Sequence, residues 1–368
     1  MGSGEAPGLK QESKPRGSAL ARIRAIFMRL SSVPPAPPRV RQILRSPTEI
    51  QSSAANQDYV QRVNRALDYV LAHLDEPLPL EAVAQAAGFS PFHFHRIFRA
   101  ALGETLNQFV KRVRLERAVR LMAHGPTRTL TEVALECGFQ SSSDFSRCFK
   151  QRYGVPPSAF DARLFREQRR EEWQAVVEGS EGARLDRLPP GENPDGFEVE
   201  LVDLPARTVA YTRVLDPYRP DVARQACMDM LAWAEERGLA DGQWLGYQWD
   251  DPEIVAHADC RYDVGLVVER CAPEGVIGCI EFAPMRVAQL ELRGGIELVM
   301  RALDWLWGTW LPNSAYAPSD QPAFEAWIGR PFAHGEEHFE IHAQLPLIPR
   351  LGGPARASKG EASPNPQA

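Results

Sequence analysis

Between Asp58 and Leu74, the apolar residues Val60, Val63, Leu67, Val70, Leu71 and Leu74 recur at three- and four-residue intervals until Pro77 and Pro79. That is the period of a helix turning one stripe to a core. The period returns in Ala82–Ala87, Pro91–Leu102, Asn107–Ala123, Thr131–Cys137 and Ser141–Tyr153, with Gly88, Gly103, Gly125, Gly138 and Gly154 as stops. These runs predict an all-α unit, which the charged run Arg163–Val177 closes. After the break at Pro189–Pro194 the texture changes. β-Branched runs at Phe197–Val202, Thr208–Val214, Tyr262–Val268, Val276–Phe282, Arg286–Leu292, Phe324–Ile328 and Phe339–Leu345 predict strands, with helices at Asp221–Arg237 and Ile296–Trp310. The order strand, strand, helix, strand, strand, then strand, helix, strand, strand, is a near-repeat and predicts a pseudo-twofold α+β unit.

The expected division is a disordered leader over 1–57, the helical unit over 58–170, a linker over 171–196, the α+β unit over 197–347 and a disordered tail over 348–368. Both ends are rich in Pro, Ser or Gly and poor in apolar periodicity. Ser18–Leu30 has the arginines of a short amphipathic helix but lacks the uncharged apolar stretch of a secretory signal. No run of about 18 apolar residues is present, so no membrane span is expected.

The helical unit repeats itself. Val83-Ala84-Gln85-Ala86-Ala87-Gly88-Phe89, followed by a helix ending in Phe98, is echoed by Val133-Ala134-Leu135-Glu136-Cys137-Gly138-Phe139, followed by a helix ending in Phe149. Each copy has the layout of a helix-turn-helix, whose second helix enters the DNA major groove. Helical geometry turns Phe94, Ile97, Phe98 and Ala101 inward in the first copy and leaves Phe92, His95, Arg96 and Arg99 outward. In the second copy Phe145, Cys148 and Phe149 face in, whereas Ser142, Ser143, Ser146 and Arg147 face out. Arginine forks match guanine O6 and N7, Ser and His bond base edges or phosphates, and a phenyl ring touches a thymine methyl. The helix Asn107–Ala123 is about 25 Å long and can hold the two readers at a spacing compatible with a DNA turn of about 34 Å. Its Lys111, Arg112, Arg114, Arg117 and Arg120 read as a solvated face or as phosphate contacts.

Composition sharpens this picture. The chain has 368 residues, 44% hydrophobic and 24% charged, as in soluble globular proteins. The net charge of −6 conceals a polarity: +6 over 1–57, +5 over 58–170 and −17 over 171–368. A basic front suits a polyanion and an acidic back suits a cationic small molecule. Six cysteines without a C-x-x-C pair are too sparse for a disulfide scaffold and favour a reducing compartment, so a cytoplasmic location is expected.

Residues 58–166 resemble the AraC/XylS family of transcription regulators. The resemblance is carried by Val133-Ala134-Leu135-Glu136-Cys137-Gly138-Phe139, by Ser141 to Lys150 with Phe145-Ser146-Arg147, and by Gly154-Val155-Pro156-Pro157. Where the family continues to Tyr-Arg, this chain has Phe160-Asp161. The resemblance implies base readout by Phe92, His95 and Arg96 in the first reader and by Ser142, Ser143, Ser146 and Arg147 in the second, with double-stranded DNA and RNA polymerase as partners. The outward stripes select the same positions.

Residues 197–347 resemble GyrI-like effector-binding domains through Leu204-Pro205-Ala206-Arg207-Thr208-Val209-Ala210, Cys260-Arg261-Tyr262-Asp263-Val264, Ala323-Phe324-Glu325-Ala326-Trp327 and Phe339-Glu340-Ile341-His342. Glu325 beside Trp327 is a carboxylate among rings, suited to a lipophilic cation through charge and cation–π contact. The resemblance implies that this glutamate lies in the effector pocket, and Tyr247 and Trp249 are candidate walls. Trp233, Trp305 and Trp310, at helical spacing, read as core. A small-molecule hydrolase with Glu325 as general base is the competing reading, but the attached DNA reader favours a sensor over an enzyme. His334, His338 and His342 would share a helix face as metal ligands do, yet Gly335 and the strand-like run after them oppose that helix. No cofactor or metal is expected.

Overall fold

The computed structural model describes residues 54–124, 128–177, 185–219, 221–335 and 338–350. The Ser18–Leu30 helix and nearly all of the expected leader and tail lie outside the described residues.

Among the described residues, seven α-helices form the first unit: α1 (Ala54–Ala72), α2 (Leu80–Ala86), α3 (Pro91–Leu102), α4 (Leu106–His124), α5 (Leu130–Glu136), α6 (Ser142–Tyr153) and α7 (Ala162–Val177). They build two lobes. Val63, Leu67 and Val70 of α1 pack with Val83, Ala84, Phe94, Phe98, Phe109 and Val113 in the first lobe. Leu115, Ala118 and Val119 pack with Val133, Ala134, Phe145, Phe149 and Phe165 in the second. Helix α4 therefore gives its first half to one core and its second half to the other. Sequence sets the helix ends: Thr129 and Glu132 form a reciprocal capping box on α5, and the Ser141 hydroxyl accepts from Asp144 N–H at 3.1 Å to start α6.

Among the described residues the second unit is one nine-stranded sheet with two long helices, the second continued by the turns Leu306–Trp310 and Leu311–Asn313. Its elements are β1 (Glu200–Leu204), β2 (Arg207–Leu215), α8 (Val222–Glu235), β3 (Trp244–Gln248), β4 (Arg261–Val268), β5 (Gly278–Phe282), β6 (Met285–Gly294), α9 (Ile296–Trp305), β7 (Tyr316–Pro318), β8 (Ala323–Trp327) and β9 (Phe339–Pro349). The strand order β1-β6-β9-β8-β3-β4-β2-β5 is unchanged when the two halves are exchanged, which is the expected pseudo-twofold. Each half lends its first strand to the other: β1 pairs with β6, and β5 with β2. The repeat is β-β-α-β-β with β3 included. Periodicity does not reveal β3, because this central strand is buried on both sides and contains Gly246, so it neither alternates nor reads as β-branched. The division into halves consequently falls before β5 rather than after it.

Helices α8 and α9 cover one sheet face, over Ala210, Val264, Leu266, Leu290 and Trp327. Val209, Leu245, Tyr247, Phe282, Val287 and Phe324 cluster on the other. The two units are joined by packing and charge. The β3–β4 connection buries Ile254, Val255 and Cys260 in the core of the second lobe. Arg166 pairs with Glu253 at 2.7 Å, Arg170 with Glu253 at 2.7 Å and Asp304 at 2.8 Å, and Arg117 with Asp320 at 2.8 Å. Cys271 and Cys279 are disulfide-bonded, a pairing the sparse cysteines do not foretell. The other four cysteines are free and buried.

The turn of the second helix-turn-helix depends on Gly138. Its φ is +79°, and a Cβ there would stand 2.5 Å from the Leu74 carbonyl oxygen and 2.9 Å from the Arg114 guanidinium. Gly138→Ala is expected to cost about 1–3 kcal/mol, read as a lowered urea midpoint. An unchanged midpoint contradicts this account.

Candidate DNA interface and effector pocket

Helix α3 buries Phe94 and Phe98 and exposes Phe92, His95, Arg96 and Arg99. Phe92 is 69% exposed, unusual for a phenylalanine, and the Arg96 guanidinium lies 6.0 Å from its ring centre. Helix α6 buries Phe145, Cys148 and Phe149, with Ser143 and Arg147 exposed and Ser142 and Ser146 half-buried. Arg147 donates to Asp144 at 2.6 Å, one helical turn back. That bond holds the Asp144 carboxyl below the usual range. An exposed pair of this kind is worth little, so the guanidinium is aimed without being tied down. Asp144, half-buried beside these positions, lies outside the predicted outward set.

The basic residues of α4 behave differently from a solvated face. Arg112 is buried against Glu104 at 2.6 Å and Glu116 at 3.2 Å. Arg114 donates to the carbonyls of Leu74 and Glu76, satisfying the chain end after α1, and Arg117 pairs with Asp320 of the second unit. The helix is enclosed by two cores and by the sheet unit, so these cations are internal ties. Phe160 and Asp161 are likewise structural. The ring packs on Phe149, Tyr153 and Phe165, and the Asp161 carboxylate accepts from Leu164 N–H at 3.0 Å to cap α7.

In the second unit, strand alternation sorts the aromatic candidates. Glu325 and Trp327 share the helix-covered face with Gly246, Gln248 and Tyr262. Gln248 Nε2 donates to Glu325 Oε1 at 2.8 Å and Tyr262 Oη donates to Oε2 at 3.1 Å. Gly246 lies opposite Glu325 in the β3–β8 ladder, and a Cβ there would stand 2.0 Å from Tyr262 Oη. Only glycine leaves room for that hydroxyl. Burial raises the Glu325 carboxyl to about 7, although both hydrogen bonds favour the anion. Among the described residues no basic side chain forms an ion pair with it.

Tyr247 and Trp249, expected beside Glu325, lie on the opposite face of the sheet and correct that expectation. Tyr247 stacks on Phe282 at 4.8 Å and packs on Phe324 at 5.0 Å, and Trp249 donates its indole N–H to Asp263 at 2.7 Å. That aromatic box already holds a cation, because Arg207 sits 4.7 Å from the Phe324 ring centre and 5.6 Å from that of Phe282. Counting two residues per repeat from Glu325 would have pointed to Gln248 and Tyr262, had β3 and its register been visible. His334 and His338 flank Glu340, while His342 lies on β9 beside Glu291, so no shared helix face forms. Among the described residues no group of three side chains is placed to hold a metal.

Residues 83–163 match the family described as a helix-turn-helix domain, and residues 197–348 match the GyrI-like small molecule binding domain. The chain is 28% identical over 143 residues to the HTH-type transcriptional regulator YbfP of Bacillus subtilis, covering 39% of this chain and 47% of that protein. It is 32% identical over 112 residues to the transcriptional regulator Rob of Salmonella typhimurium, covering 30% and 35%. The chain thus spans less than half the length of these curated relatives. A solved AraC-type transcriptional regulator from Chromobacterium violaceum is 26% identical over 29% of this chain and 93% of its own, with a TM-score of 0.27. Fold and matches together define a double helix-turn-helix unit joined to a small-molecule binding domain. Residues 83–163 thus carry a helix-turn-helix domain and residues 197–348 a GyrI-like small molecule binding domain.

The raised Glu325 carboxyl fixes the sign of a pH effect. Its folded value of about 7 lies above the unfolded one, near 4.3 for a free glutamate. The stability supplied by the protonated form is complete below the unfolded value and is lost as pH rises through about 7. Glu325→Gln stays neutral, so its Tm is expected to gain on wild type between pH 5 and pH 8. An equal difference at both pH values contradicts this.

Proposed function

We propose that the protein is a one-component transcription regulator, in which the two readers bind a promoter and a lipophilic cation at Glu325 sets how tightly. The observation that carries this reading is the presence in one packed chain of two outward-facing reader stripes and, among the described residues, a half-buried carboxylate without a basic partner. Phe92, His95 and Arg96 serve the first reader as base contacts, and Ser142, Ser143, Ser146 and Arg147 serve the second. The free backbone N–H groups opening α3 and α6 suit phosphate oxygens. Glu325 and Trp327 hold the effector with Gln248 and Tyr262 in place of Tyr247 and Trp249. RNA polymerase is the partner through which promoter binding alters transcription, and the cytoplasm is the compartment. A binding role rather than catalysis is supported by the regulator names of the relatives and by the DNA reader itself.

Arg96→Ala and Arg147→Ala are each expected to weaken specific binding by about 1–3 kcal/mol. The measurement is a salt-controlled mobility shift on a site recovered by genome-wide mapping, and wild-type affinity in both variants refutes the reader assignment. For the pocket, calorimetry with tetraphenylphosphonium should show binding that its anionic isostere tetraphenylborate does not share. Glu325→Gln should weaken the cation at least ten-fold, about 1.4 kcal/mol, with DNA affinity unaltered. Equal binding of the two isosteres, or indifference to Glu325→Gln, rejects the cationic effector.

A further inference from the structure

Neighbouring residues of β4 face different partners. Tyr262 gives its hydroxyl to Glu325 on the helix-covered face. Asp263 leaves on the other face, where its two oxygens accept from Arg213 Nε at 2.8 Å and Nη2 at 2.7 Å. The Arg213 side chain is 1% exposed and lies over the rings of Tyr211 and Trp249. Its remaining nitrogen, Nη1, reaches 2.8 Å from Asp68 of α1, in the DNA-reading unit. This last contact is short but lacks the alignment of a hydrogen bond, unlike the fork to Asp263. The other Asp68 oxygen accepts from Tyr211 Oη at 2.6 Å. On α1, the adjacent Leu67 and nearby Val70 pack in the core that also holds Phe94 and Phe98 of the first reader. Apart from the peptide unit between Tyr262 and Asp263, direct side-chain contacts lead from Glu325 to α1.

We propose that Arg213 is a positioning residue that couples the effector pocket to the first reader. A cation at Glu325 draws its carboxylate from the Tyr262 hydroxyl, β4 resets, and the Asp263–Arg213 fork changes its hold on Asp68 and hence the set of α1 beneath α3. The misaligned Arg213–Asp68 contact is the joint that slips, because the aligned bidentate fork is the stronger link. The inference rests on Glu325 being the effector carboxylate. A ligand shifts such an equilibrium only by its differential affinity for the two arrangements, and the coupling is reciprocal.

The test measures DNA affinity of the full chain with and without saturating tetraphenylphosphonium, at fixed salt. Wild type is expected to change by at least about five-fold, the lower end of ordinary allosteric coupling. In Arg213→Met and in the milder Asp68→Asn, tetraphenylphosphonium and DNA should each bind within about three-fold of wild type, while the change in DNA affinity falls below about two-fold. Asp68→Asn retains the side chain's size, so it reports even if Arg213→Met fails to fold. Full coupling retained in Asp68→Asn, or a wild type that binds both ligands independently, overturns the role of Arg213 and leaves the pocket standing. A wild type that does not bind tetraphenylphosphonium refutes the effector reading itself and removes this inference with it.

Discussion

Side chains leave a β-strand alternately to its two sides, and the consequences of that rule in β3, β4 and β8 organise the second unit. One side of these strands presents Gln248, Tyr262 and Glu325 beneath α8 and α9. The other presents Tyr247, Asp263 and Phe324 toward a face that the DNA-reading unit reaches through α1. The sheet is thus a partition one residue thick. A half-buried carboxylate lies on one side, and an arginine forked to Asp263 lies on the other. Any movement of the partition is felt on both.

Charge acts in the assembly before it acts on partners. The opposite signs of the two units meet at Arg117–Asp320, Arg166–Glu253 and Arg170–Asp304, the last with both side chains buried. Buried pairs repay little more than the water they displace, so their value lies in fixing which surfaces meet. The readers keep a different kind of cation. Arg96 and Arg147 remain exposed on helices whose opposite sides are locked by phenylalanine. Internal arginines set the frame, and Arg96 and Arg147 stay in solvent.

Much of this was legible in the chain. Helical period and glycine stops gave both readers with their boundaries nearly intact, because an amphipathic helix writes its buried stripe locally. Phe92, Arg96 and Arg147 face outward as that stripe implies. The arginines of α4 were opaque for the complementary reason. A helix buried on several sides shows polar positions whose partners, such as Glu104, Asp320 and the carbonyls of Leu74 and Glu76, come from distant segments. The pocket was half legible. Glu325 announced itself by sitting among aromatics, whereas its neighbours depend on the register between β3, β4 and β8, and a short strand interrupted by glycine leaves no periodic trace.

The pairing of Gly246 with Glu325 across the middle of the sheet carries a stoichiometric consequence. The two halves of the unit are copies in topology, and β3 and β8 are counterpart strands meeting at the centre. An acid on both strands there would set two like charges against each other in a half-buried site. One copy has instead surrendered its side chain, and the vacated volume houses the hydroxyl of Tyr262. A scaffold symmetric in its topology thereby becomes lopsided in its charge, with one carboxylate at its centre instead of two.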